Sequence, residues 1–97
     1  MKRFDKKDPQ EIVVLTFDFS GEAAAVSSPV VSVAHDSGEP DAAFASVLEG
    51  SAQVSGAKVL QRVKSGVDGA NYLLRCEASD GNGNTLVRAG LLMVRAA

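Results

Sequence analysis

The 97-residue chain has no tryptophan, four phenylalanines, one tyrosine, one cysteine and one histidine. A single cysteine forbids an internal disulfide, so folding does not depend on an oxidising compartment. With His35 as the only histidine, a catalytic triad, a Cys-His pair or a histidine-based zinc site would rest on that one residue. The formal charge of −2 creates no field that gathers nucleic acid or an anionic membrane. The opening MKRFDKKDPQE carries the positive charges of a secretion signal without the apolar stretch that follows one. No uncharged run approaches the length of a membrane span. These absences lead to the expectation of a soluble chain made in a cytoplasm.

What is present is ordinary in total and particular in kind. Apolar residues make up 45% and charged residues 23%, the balance of a globular domain with one core. Val, Ala and Leu dominate, which suits thin, regularly packed strands better than a deep pocket. Residues 1–9 are charged, end at Pro9, and read as an arm or an edge. From Glu11 the chain alternates, with Val13, Leu15, Phe17 and Phe19 on one face. Pro29 followed by Val30, Val31 and Val33 marks a second strand, and 36–41 is a polar loop.

Residues 42–49 admit two readings. Asp41 could cap a helix carrying Phe44, Val47 and Leu48, but β-like neighbours favour a strand. Gly56 bends the next stretch, in which Val59 and Val63 face one way and Lys58, Arg62 and Lys64 the other. Tyr72, Leu74, Cys76 and Ala78 alternate inward. The DGNGN run, 80–84, is a hairpin loop. In the last strand the spacing predicts Val87 and Ala89 on the apolar face and a bulge at Gly90. The expected fold is all-β: a single immunoglobulin-like antiparallel β-sandwich of about seven strands over 10–97. An immunoglobulin sandwich places its tyrosine two residues before a cysteine. Here the gap from Tyr72 to Cys76 is four and no second cysteine exists. The reading is therefore a buried thiol, with the Tyr72 hydroxyl reaching backbone near the Gly66–Gly69 turn.

The search for chemistry is mostly negative. His35 has Asp36 beside it but stands at a strand end, as an exposed loop residue would. Cys76 lies mid-strand on a core face, where a thiol acts as a small apolar side chain. The 80–84 loop with Asp68 has calcium-like oxygens, yet lacks EF-hand spacing. GVDGA, 66–70, lacks the Lys-Ser/Thr of a phosphate loop. Asp18, Glu22, Asp36, Glu39 and Asp41 are scattered at turns and read as a solvated rim. Lys58, Arg62, Lys64, Arg75 and Arg88 would form a basic strip if their strands were neighbours, but no aromatics interleave them. No catalytic, cofactor-binding or metal-binding residue is assigned.

Two stretches carry a family resemblance. KKDPQEIVVLTFDFS, 6–20, resembles the opening of phage fiber-tail adaptor proteins, small virion components of tailed bacteriophages and prophages. The segment 47–96 is similar to their second half, where a valine-rich strand leads to Gly-Gly-x-x-Gly-x-x-Tyr, a strand, an Asp-Gly loop and a closing strand. Asp18, Phe19 and Ser20 match the opening motif, with Phe19 where Trp is common. Gly66, Gly69 and Tyr72 match the turn, with Ser65 where Gly is common, and Gly81 matches the hairpin. Residues 22–46 match poorly. The resemblance implies a non-enzymatic β-sandwich that assembles with other tail or connector proteins, in the host cytoplasm first and in the virion afterwards. It implies homo-oligomers in the particle, and no nucleic acid, membrane or cofactor. Val14, Leu60 and Leu73 are candidate contact residues. The competing readings are an immunoglobulin-like module binding protein or carbohydrate, and a small enzyme or thiol regulator on Cys76 and His35.

Overall fold

The computed structural model describes residues 2–97. Seven strands follow one another: β1 Lys2–Arg3, β2 Val13–Asp18, β3 Ser27–Gly38, β4 Leu48–Ser55, β5 Lys58–Val63, β6 Ala70–Ser79 and β7 Thr85–Met93. They form two sheets, a larger one in the order β1-β7-β6-β3 and a smaller one in the order β2-β5-β4. The sheets pack face to face as an all-β sandwich. Every ladder is antiparallel except that of β1 on β7. Among the described residues no helix is long and apolar enough to cross a membrane.

The alternation read from the sequence fixes the core. Leu15, Phe17 and Phe19 from β2 and its end meet Tyr72, Leu74, Cys76 and Ala78 from β6, with Val59 and Val63 from β5. All nine are buried, six of them with no exposed surface. Burying a Val, Leu or Phe side chain contributes about 1.5–3 kcal/mol, so this alternation is the main source of stability. The 80–84 hairpin between β6 and β7 falls where its turn formers predicted it, and the bend read at Gly56 is the hairpin turn between β4 and β5.

Three expectations are corrected. Residues 42–49 are not a strand throughout: Phe44–Val47 is a 3-10 turn, and β4 starts only at Leu48. This segment carries the chain from the larger sheet to the smaller one, so it has no neighbouring strand to pair with. In β7 the core face is Leu86, Gly90 and Leu92, while Val87 is 37% exposed. Register with β6 runs unbroken from Asn71↔Met93 to Ser79↔Thr85, so there is no bulge at Gly90. Antiparallel partners share a face, so Val87 and Ala89 must point outward with Glu77 and Arg75 opposite them. Thirdly, β3 extends to Gly38, past a bulge at His35/Ser37, into what reads as loop.

Residues 2–9 form an edge. Lys2 and Arg3 pair with Gly90 and Leu91, and the Phe4 ring enters the core edge-on to Phe17 at 5.5 Å. Lys7 is buried, and its ammonium donates to the Ser65 and Asp8 carbonyls at 2.6 and 2.9 Å. Desolvation is the largest influence on that ammonium and lowers its pKa.

Candidate assembly surfaces

Each residue type that suggests chemistry is already engaged in holding the fold. His35 packs edge-on against the Tyr72 ring at 6.2 Å, with Nε2 at 2.8 Å from the Glu39 carbonyl. Asp36 accepts from the Ser37 hydroxyl at 3.0 Å instead of orienting the imidazole. Cys76 has no exposed surface, and burial, reinforced by the charge of Glu77, pushes its thiol up to about 11. A thiol held protonated and covered is a poor nucleophile.

The glycine turn is bonded inward. The Val67 amide donates to the Tyr72 hydroxyl, which donates in turn to Asp41 Oδ2, both at 2.8 Å. Burial is the main cause that raises the Tyr72 pKa. Gly69 donates its amide to the Val94 carbonyl, and Asp68 accepts the Ala96 amide at 2.8 Å. Those amides are spent on the protein rather than presented to a phosphate. Asp80 receives the Asn82 amide on Oδ1 and the Asn84 side chain on Oδ2, both at 2.8 Å. The Asn84 side chain, followed by the Asn82 amide, lowers the Asp80 pKa. This carboxylate closes its own hairpin. No group of three His, Cys, Asp or Glu suited to a metal exists among the described residues.

The five basic residues do not form a strip. Lys58 and Arg62 project from the smaller sheet and Arg75 from the larger one, where it pairs with Glu77 at 2.6 Å. Lys64 pairs with Glu49 at 3.2 Å. Arg88 pairs with Glu22 at 2.6 Å and covers the Phe19 ring.

What remains is surface shape. The smaller sheet's outer face sets Val14 beside Arg62 and Glu49, and Thr16 beside Leu60 and Gln53. Val14 and Leu60 line one shallow groove of about 430 Å³ there. A second groove of about 490 Å³ runs between residues 2–6 and β2. Leu73, the third candidate, belongs elsewhere: it lies on the larger sheet's outer face between Ala34 and Leu91. That face carries a band of Ala34, Leu73 and Leu91, with Val30 at its margin 60% exposed. Sequence reasoning missed three residues that shape these surfaces. Phe4 and Lys7 pin the N-terminal segment beside the second groove. Gln61, 2% exposed, donates its amide to the carbonyls of Glu49 and Gly50 in the β4 bulge. A polar residue within an alternating strand was the available signal. No family model, curated protein or solved structure matches the chain.

Proposed function

We propose that the chain is a non-enzymatic structural module of a tailed-phage or prophage virion, a tail or head–tail adaptor that acts by protein–protein assembly. The observation that carries this reading is the agreement between the family-like motifs and the fold's turns. Ser65, Gly66 and Tyr72 build one hydrogen-bonded corner, with Ser65 and Gly66 both at positive φ. Asp18 accepts the Ser20 amide at 2.9 Å where β2 ends. Those motif residues hold turns together, which supports the reading of a structural component. Apolar residues on both outer faces supply contact area for neighbours repeated by symmetry. The alternative, an immunoglobulin-like module for a protein or carbohydrate ligand, needs exposed aromatics. Phe4, Phe17, Phe19 and Tyr72 are buried and Phe44 is half-buried.

The test is mass spectrometry of density-purified particles released by inducing the encoding strain. The chain should be present at a fixed ratio to the major tail proteins. Its absence from particles whose other tail proteins are all detected would sink the reading.

A further inference from the structure

We propose that the free edge of β3 is a homotypic pairing site, where two copies of this chain join strand to antiparallel strand about a twofold axis at Ser32. A sheet edge exposes unpaired N–H and C=O groups, and proteins normally blunt it with charge, bulges or brevity. Two sheets leave four edges, and three of them are blunted. β1 is two residues long, both charged, and covers only Gly90 and Leu91; the length of β7 that it leaves open, 85–89, carries Arg88, paired with Glu22. β2 ends in Asp18, and the Lys2 ammonium donates to its Thr16 carbonyl at 3.1 Å. β4 is broken by a bulge between Glu49 and Gln53, with Glu49 tied to Lys64.

β3 is different. From Ser27 to His35 it carries no carboxylate, ammonium or guanidinium. Its irregularities, and Pro29, lie towards the ends, at Ser27/Val30 and His35/Ser37, leaving 30–35 in continuous register on β6. Among the described residues, no turn or loop backbone hydrogen bond reaches 30–34. The window is uncharged, β-branched and open on one side.

Its residue pattern is self-complementary. Centred on Ser32, an antiparallel pair sets Val30 of one copy against Ala34 of the other, on the outer face. Val31 then meets Val33 on the inner face. Each outward residue meets an outward one, each inward residue an inward one, and no like charges oppose. Val30, the most exposed large apolar residue described, gains an apolar neighbour. The Ala34–Leu73–Leu91 bands of the two copies become continuous across the axis. Centring on Val31 would draw Ser28, at positive φ, into the ladder, and centring on Val33 would run into the second bulge. The twofold consumes the edge in both copies, so association stops at a dimer. The ladder is short beside a standard interface of about 1,600 Å², so the dimer forms in a concentration-dependent way.

The test is crosslinking of the Ser32→Cys protein. Residues directly opposite in antiparallel strands lie within disulfide reach, and Cys76 is buried and stays out of the reaction. The control is Val54→Cys, on the rival edge β4 and 43% exposed. With a mild copper–phenanthroline oxidant, S32C should give covalent dimer roughly tenfold faster than V54C, because pairing raises the local thiol concentration. Sedimentation of the unmodified protein should show reversible dimer, and Ser32→Lys, which sets two ammoniums on the axis, should abolish it. Equal rates for S32C and V54C, or an unmodified chain that stays monomeric at millimolar concentration, would overturn the pairing. The inference stands on the strand edges alone. Particles that contain the chain, beside an S32C protein that does not crosslink, would remove this inference and leave the virion reading intact.

Discussion

The Phe4 ring packs directly against Gly90: a methyl group in place of the glycine hydrogen would meet Phe4 Cε2 at 2.5 Å. The contact joins the first strand to the last and explains a glycine in mid-strand without a bulge. Gly90→Ala should lose about 1–3 kcal/mol through overpacking, and Phe4→Ala about 3 kcal/mol through the cavity it leaves. In the double variant the alanine at 90 finds empty space, so the two losses should fall well short of additive. Urea unfolding of the four proteins measures this. Additive losses would show that the two residues are not in contact.

Tyr72→Phe removes a hydroxyl that accepts from Val67 and donates to Asp41. The Val67 amide and a carboxylate oxygen then lose a partner in a partly buried place. The expected loss is about 2 kcal/mol. Asp41→Asn retains a carbonyl oxygen to accept the hydroxyl and should lose less. Stability of Y72F equal to that of the parent would show that the corner does not depend on this bond.

Ser65 holds a left-handed backbone, φ 53, with its carbonyl gripped by the buried Lys7 ammonium. A side chain in that region is strained, and glycine is not. Ser65→Gly should therefore stabilise the fold by about 1 kcal/mol, while Ser65→Ala, which retains a Cβ, should gain nothing. Thermal denaturation of the two variants separates the outcomes.

Alkali should weaken the protein through Cys76. In the fold its thiol is raised from 9.0 to about 11. Between those values the unfolded chain releases a proton that the folded chain retains. Stability present below pH 9 is then lost as pH rises towards 11. Tyr72, also raised, acts in the same direction, whereas Lys7, lowered, opposes it. Cys76→Ala isolates the thiol. It should be about 1 kcal/mol less stable at pH 8 through lost packing, and the gap should close and then reverse as pH rises towards 11. A gap that stays constant with pH would rule out the thiol as the titrating group.

Much of the sandwich is legible in the sequence because alternation, unlike pairing, is local. Tyr72, Leu74, Cys76 and Ala78 point inward as their spacing requires, and so do Phe17 and Phe19. β7 was harder, because LVRAGLLMV offers apolar residues at both parities, and only the register with β6 selects one. Phe4 and Lys7 were illegible for another reason. Their burial depends on Gly90 and Ser65, far away in sequence, and a two-residue strand has no period to detect. The 3-10 turn at Phe44–Val47 was half legible: Asp41 and the spacing of Phe44, Val47 and Leu48 offered a helix, but the crossing between sheets that denies the segment a strand partner is not a local property. The candidate surfaces share this difficulty: Val14 and Leu60 stand out as outward residues, but that they line one groove while Leu73 lies on the opposite sheet is a matter of strand order.

The parallel pairing of β1 with β7 has a consequence for synthesis. The Lys2 and Arg3 backbone groups, the Phe4 ring and the Lys7 ammonium all wait for partners made much later along the chain. Until β7 is made, the first strand has no sheet to join, and β6 has only β3 beside it. The chain up to β6 can hold β3 against β6 and the smaller sheet's β2-β5-β4 set, but the β7 side of β6 stays uncovered. Completion of the core thus waits for β7, and until then the chain keeps apolar surface exposed of the kind that favours aggregation.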